Sequence, residues 1–260
     1  MKTLEIAFTQ HRGKLNRQQQ DRMLVNDTIH QESALPITTL TLAANDVLLA
    51  VADGVATSAV PCRTSRTVLE ELAKAVQEHP EWRQEGFVSA RHLRHIQTRL
   101  ADQLADNPKT YGAATTIAVA HIRSNRAVVL NVGDSRVYHA DREGHWQRLS
   151  KDHTVLQGLI DRGEASPDQE YASLYNAVEH VLIADHEEGD FAIHRVVATL
   201  APGDTLVLCS DGVHDVLGEK AIWGMFDSGL DVAEQVRVWR DAVWKCGAWD
   251  NFSVVIASLD

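Results

Sequence analysis

Long apolar runs are missing from this sequence of 260 residues: none approaches the roughly eighteen that a membrane-spanning helix requires. The N-terminus, Met1-Lys2-Thr3-Leu4-Glu5, also lacks the apolar core of a secretory signal, so the cytoplasm is the expected compartment. Cysteine is scarce. Cys62, Cys209 and Cys246 are far apart and odd in number, with no thiolate metal spacing, and read as reduced core thiols. Basic charge is in deficit, with 25 Lys and Arg against 36 Asp and Glu and a net charge of −11. That balance argues against a general nucleic-acid binder or a binder of anionic membranes. Three chemical signatures are absent as well: the Gly-x-x-x-x-Gly-Lys-[Ser/Thr] phosphate loop, the Gly-x-Gly-x-x-Gly fingerprint and the Gly-x-Ser-x-Gly nucleophile elbow.

What the chain does have is aspartate at the ends of strands. Thr205–Cys209 is a short apolar run opened by Pro202-Gly203 and reads as a buried strand. It delivers Asp211 to its end, where Gly212 allows a sharp turn or a close approach, and Asp215 follows four residues on. Val47–Ala52 repeats the design and ends in Asp53-Gly54. Ala127–Val132 ends in Gly133-Asp134, and Asp250-Asn251 precedes a final strand, Phe252–Leu259. A single Asp-Gly pair is most often a plain turn. Repetition changes the odds and points to a shared carboxylate site.

The remaining pattern sets the fold class. Leu4, Ile6 and Phe8 alternate with Glu5 and Ala7 as in a half-buried opening strand, and a polar segment from His11 to Arg22 reads as a loop. Thr64–His79 carries a helical stripe through Val68, Leu72 and Val76 and stops at Pro80; Val88–Asp106 carries another. His92 and His95 on the second helix read as solvated surface residues. Gly112–Ile122 and Ala127–Val132 suit a hairpin, Val137–Ala140 pairs with Trp146–Leu149, and Asp231–Cys246 is helical. Val155–Asp161 reads as a short helix, and Asp185–Glu188 as a charged loop tip. Without strict βαβ alternation, this order predicts an α+β fold with antiparallel sheets, organised as one domain over residues 1–260.

Asp21, Asp53, Asp134, Asp211, Asp215 and Asp250 are all hard oxygen donors, which select Mg²⁺ or Mn²⁺ over zinc or copper. Converging carboxylates repel one another unless cations join them. Two such ions ~3.5–4 Å apart can share a water, lower its pKa towards ~7 and clamp the oxygens of a displacement at phosphorus. An aspartyl-phosphate route lacks its second acid two residues on, where Asp53 has Val55 and Asp211 has Val213.

Six motifs then line up in order: Asp53-Gly54, Gly112-Ala113-Ala114-Thr115-Thr116, Gly133-Asp134-Ser135-Arg136, Leu149-Ser150-Lys151-Asp152-His153, Cys209-Ser210-Asp211-Gly212 and Asp250-Asn251. Together they resemble the metal-dependent type 2C protein phosphatases, closest to compact bacterial members, from about Gln10 to Leu259. The resemblance implies a four-layer α-β-β-α sandwich that hydrolyses phosphoserine and phosphothreonine on proteins, opposing a serine/threonine kinase. By motif position Asp53 would bridge two Mn²⁺ or Mg²⁺ ions, with Gly54 offering its carbonyl and Asp21, Asp211 and Asp250 completing the shells. Asp134 and Asp215 would hold a weaker third ion, and residues 151–190 would form the flap beside the site. Many members carry an arginine at the position of Asn16; here Arg17 and Arg12 are the nearby candidates for substrate phosphate. That departure leaves an alternative, a weak or silent relative that binds phosphoproteins as a signalling scaffold. The general acid is not assigned.

Overall fold

The computed structural model describes residues 2–167, 169, 171–187 and 191–260. In chain order the elements begin with β1 (Thr3–His11), β2 (Arg22–Val25), β3 (Thr28–His30), β4 (Ala34–Ala43) and β5 (Val47–Ala52), then α1 (Pro61–Glu78) and α2 (Ala90–Leu104). A meander follows: β6 (Ala114–Thr115), β7 (Ile117–Arg123), β8 (Arg126–Val132), β9 (Arg136–Ala140) and β10 (Trp146–Arg148). Next come α3 (Val155–Asp161), β11 (Leu182–Ile183), β12 (His194–Thr199) and β13 (Thr205–Cys209). The chain closes with α4 (Asp211–Leu217), α5 (Glu219–Met225), α6 (Val232–Lys245) and β14 (Phe252–Leu259).

Two six-stranded antiparallel sheets carry the fold, ordered β10-β9-β13-β14-β1-β4 and β12-β8-β7-β5-β2-β3. Their inner faces meet in a core that includes Leu4, Ile6 and Phe8 from one sheet and Leu49, Val51 and Val129 from the other. The outer face of the second sheet is covered by α1 and α2 through Leu72, Leu93 and Ile96. Trp239 and Val236 of α6 cover the outer face of the first. The architecture is therefore α-β-β-α, as the motifs implied. Because both faces of each sheet are buried, the central strands are apolar on both sides, and Ala7 of β1 is buried where alternation predicted exposure.

Register explains why the aspartates share one end. In the second sheet Arg22 pairs with Ala52, Val51 with Ala118 and Ile117 with Val132. The start of β2, the end of β5 and the end of β8 therefore lie at one edge, carrying Asp21, Asp53 and Asp134. In the first sheet Cys209 pairs with Val254 and with Arg136, and His11 pairs with Phe252. The end of β13 and the start of β14 thus face the same way, carrying Asp211 and Asp250. Among the links that cross between the sheets at this edge are those from β1 to β2 and from β8 to β9.

Three expectations are corrected. The polar stretch after His11 is followed by three strands, β2, β3 and β4, that periodicity does not reveal. His92 is buried, because it shares the inner stripe of α2 with Ile96; its Nδ1 accepts from the Ser89 N–H at 3.1 Å and Trp82 packs edge-on against it. Of the three free cysteines only Cys209 is a core thiol; Cys62 is half-buried and Cys246 exposed. Asp185 and His186 do form an exposed tip, where His186 Nε2 meets Asp106 Oδ1 at 2.8 Å; Glu188 lies outside the described residues.

Trp239 is fully buried against the first sheet, so Trp239→Ala should cost about 3–5 kcal/mol in urea unfolding. Trp223→Ala, at a side chain 48% exposed, should stay within about 0.5 kcal/mol of the parent.

Candidate functional site

Asp53 follows β5 and is fixed through its backbone. Thr116 N–H and Thr115 Oγ1 donate to its carbonyl at 2.8 and 2.7 Å, and its own N–H donates to Thr116 Oγ1 at 3.1 Å. The paired threonines of the Gly-Ala-Ala-Thr-Thr motif thus aim this one residue. Gly54 must be glycine: a Cβ there would lie 2.3 Å from the Pro61 carbonyl oxygen at the start of α1.

Asp21 is fully buried. One carboxylate oxygen, Oδ2, accepts from Ser210 Oγ at 2.7 Å and from Ser253 Oγ at 2.9 Å, while Oδ1 has no hydrogen-bond partner. A buried anionic oxygen without a donor is costly unless a cation meets it. The two serines were not singled out in the sequence, since a lone hydroxyl at a strand end carries no periodic signal.

Asp211 departs slightly from expectation. It sits at the first position of α4, with Asp215 one helical turn further on, so strand end and helix start coincide. Gly212 serves close approach, because a Cβ would meet the Asn251 carbonyl oxygen at 1.8 Å. Asp250 Oδ1 accepts from Asn16 Nδ2 at 2.6 Å and from the Asn251 N–H at 2.7 Å. Asn251 in turn staples the loop after β1: its Oδ1 accepts from Gln20 N–H at 2.7 Å and its Nδ2 donates to the Arg12 carbonyl at 2.7 Å.

Asp134 is 8% exposed at the turn between β8 and β9. That turn is tied to the flap root, where His153 Nδ1 accepts from Gly133 N–H at 3.1 Å and Asn131 Nδ2 donates to the Lys151 carbonyl at 2.7 Å. Burial holds the His153 imidazole neutral, with its pKa down at about 4, which suits an acceptor nitrogen. Asp215 lies at the rim beside His214 Nδ1, 3.0 Å away. Arg12 and Arg17 are exposed on the loop over Asp250; Arg12 Nη1 donates to the Arg17 carbonyl at 3.3 Å, and no hydrogen bond or ion pair engages the Arg17 side chain among the described residues.

The electrostatics are those of a site short of positive charge. Burial, then Asp211, Asp21 and Asp134, push the Asp53 carboxyl well above the usual range. Burial raises Asp21 to about 6 against the help of both serines, and burial with Asp250 raises Asp211 to about 7. Burial followed by Asp211, Asp152 and Asp215 raises Asp134 strongly. For Asp215 burial acts upward, but the His214 ring outweighs it and holds the carboxyl below its ordinary value. The Asp53 carboxyl feels the charge of both Asp211 and Asp21, as the middle member of the cluster would. Hard oxygens, an orphaned Asp21 Oδ1 and unbalanced charge together fit divalent cations. Among the described residues the one trio with ligand atoms all within 4.8 Å of one another is Asp141, Glu143 and His145, on an exposed turn. There Asp141 Oδ1 already accepts from two backbone N–H groups, which accounts for the turn without an ion.

Residues 22–243 match the family model described as protein phosphatase 2C. The serine/threonine protein phosphatase PstP of Mycobacterium tuberculosis is 27% identical over 212 residues, 82% of this chain and 40% of that protein. This chain thus spans about two fifths of the length of that relative. A Listeria monocytogenes serine/threonine phosphatase is 30% identical over 150 residues, covering 57% of this chain and 58% of its own. The crystal structure of the Mycobacterium tuberculosis phosphatase PstP/Ppp superposes with a TM-score of 0.78 at 24% identity, covering 98% of both chains. A second structure, the PstP catalytic domain in complex with two manganese ions, gives 0.73 at 24% identity, covering 100% of this chain and 99% of that one.

Asp21, Asp53, Asp134 and Asp211 all bind a proton more tightly folded than unfolded. Their contribution to the stability of the metal-free fold is therefore complete below the ordinary carboxylate range and is lost as pH rises to about 7. Thermal unfolding of chelator-treated protein should show Tm falling from pH 5 to pH 8, and Mn²⁺ should flatten that slope. A metal-free Tm that is level across this window contradicts the assignment.

Proposed function

The chain belongs to the protein phosphatase 2C family, and from that premise we propose that it hydrolyses phosphoserine and phosphothreonine esters on proteins. The observation that carries this reading is the convergence of Asp21, Asp53 and Asp211 at the junction of two sheets, with the Asp21 Oδ1 lacking any donor. Asp21, Asp53, Asp211, Asp250 and the Gly54 carbonyl would hold two Mn²⁺ or Mg²⁺ ions, and Asp134 with Asp215 a weaker third. Bound there, the ions would supply an activated water and neutralise charge on the phosphoryl oxygens.

The chain's own residues set the geometry. Thr115 and Thr116 fix Asp53 at the centre, and Ser210 and Ser253 hold Asp21 through Oδ2, which leaves Oδ1 without a donor. Asn16 holds one oxygen of Asp250 and leaves the other free. That engagement removes Asn16 from substrate recognition and leaves Arg17, with Arg12 beside it, to meet the substrate phosphate through a guanidinium fork. The flap, about residues 151–190, borders the cleft; Asp168, Glu170 and Glu188–Asp190 lie outside the described residues. This reading places the protein in the cytoplasm opposite a serine/threonine kinase; no helix among the described residues is long and apolar enough to cross a membrane.

The scaffold alternative draws on Asn16 standing where a guanidinium is common, but a silent relative has no need for a full set of costly buried acids. With a phosphothreonine peptide and saturating Mn²⁺, Asp53→Asn and Asp211→Asn should each lower kcat by about 10²–10³-fold. Asp215→Asn should mainly raise the Mn²⁺ concentration required, by about tenfold. Activity that survives both chelation and Asp53→Asn would sink the phosphatase reading, and calorimetry without Mn²⁺ binding below millimolar would favour the scaffold.

A further inference from the structure

Beside Asp134 and Asp215 lies a cavity of about 450 Å³, framed by the flap root and by α4 and α5. Its charged wall contains two guanidiniums, and both are already matched. Arg136 Nη2 and Nε donate to Asp152 at 2.6 and 3.0 Å, and Nη1 donates to Glu219 at 2.9 Å. Arg148 Nη1 donates to Asp152 at 3.2 Å. Among the described residues two cations and two anions therefore balance within the wall, Asp215 is faced by His214 Nδ1 at 3.0 Å, and the Asp134 carboxylate is left without a partner.

Asp134 is the informative member. It is more than nine-tenths buried and lines the cavity, and among the described residues its carboxylate has no hydrogen-bond or ion-pair partner. The wall also carries Leu156 and Ile160 of α3 beside the polar Thr154, Gln157 and Asn176, and Trp223 of α5, which stays 48% exposed. A space with apolar side chains, a half-exposed indole and an unpaired buried carboxylate on its wall matches one kind of occupant. That is a flexible methylene stem ending in a cation, which packs its stem on apolar surface and presents its head to carboxylate and indole.

We propose that this cavity is a subsite for a lysine or arginine side chain of the phosphoprotein substrate, so that the enzyme prefers phosphorylated sites with a basic residue nearby. The proposal rests on the phosphatase reading and adds the substrate class to it. Asp134 follows β8 and Asp211 follows β13 at the same edge of the sandwich, so a side chain in the cavity would lie beside a phosphate at the cluster. The cationic head and a third divalent ion need the same two carboxylates. They exclude one another, which gives the subsite a signature that a general charge attraction lacks.

The test is a set of phosphothreonine peptides carrying a single lysine at successive positions on either side, each compared with norleucine, which keeps the stem and removes the charge. At one position lysine should raise kcat/KM about tenfold over norleucine, chiefly through KM. Raising Mn²⁺ beyond saturation of the paired site should erode that advantage. Trp223→Ala should narrow it to about twofold, read as the ratio of the lysine to the norleucine peptide in the same protein. No lysine advantage at any position overturns the proposal, as does an advantage indifferent to both Mn²⁺ and Trp223→Ala. Failure of the phosphatase reading looks different: no phosphopeptide is hydrolysed at all. Calorimetric binding of the lysine and norleucine peptides to the parent and Trp223→Ala proteins then still decides the subsite.

Discussion

Carboxylates that crowd together in a poorly hydrated cleft repel one another, and much of this molecule is arranged to withstand that repulsion. Asp53 stands between Asp21 and Asp211, with Asp134 and Asp250 close behind, and no arginine or lysine pairs with the central three among the described residues. A flexible loop would relieve such strain by splaying. Here each acid begins or ends a strand or helix whose remaining residues are buried in one of three apolar layers. The apolar packing supplies the rigidity, and the acids take their spacing from it. Under the phosphatase reading, what the protein gives up in stability at this edge it would regain as affinity for cations.

The same edge is where the sheets are joined. The links from β1 to β2 and from β8 to β9 cross from one sheet to the other, and Asp21 and Asp134 lie on them. Hydrogen bonds reinforce the junction across long separations in sequence: Ser210 and Ser253 of the first sheet grip Asp21 at the head of β2, and Asn251 grips the loop from Arg12 to Gln20. A shift of one sheet over the other would therefore pull the acid cluster apart. Packing between sheets and geometry at the site are one mechanical problem, which is why small polar residues at the strand ends matter as much as the acids.

Asp53, Asp134, Asp211 and Asp250 were legible because each follows or precedes an apolar run that reads as a buried strand, and because the arrangement recurs; Asp21, ahead of the unmarked β2, was named by the family resemblance. The helices were legible from their stripes, and α3 and β14 matched their expected bounds. β4 was not, for a definite reason: Pro36 interrupts it, and the ladder to β1 absorbs that proline by a register shift between Phe8 and Gln10. Its place at the sheet edge also leaves its residues half-buried at best, without clean alternation. His92 misled because histidine is polar by type, whereas its place on the stripe with Ile96 was the better guide. Thr115, Thr116, Ser210, Ser253 and Asn251 were invisible as supports, since their partners lie far away in sequence and only the folded register brings them together.

Asn16 shows how one substitution redistributes charge across such a site. An arginine there would place a permanent cation against Asp250 and offset part of the repulsion that Asp250 exerts on Asp211. The amide of Asn16 makes the same contact at 2.6 Å while adding no charge, so Asp250 keeps its full negative field towards the cluster. Under the phosphatase reading that choice favours cation binding and moves phosphate recognition outward to Arg17 and Arg12. Both side chains are exposed, and a guanidinium in water holds an anion less strongly than one in a dry cleft. Under that reading the chain trades grip on the phosphate for field at the acids. Under the same reading recognition comes from elsewhere on the substrate, and the charged cavity beside Asp134 and Asp215 is a surface placed to supply it.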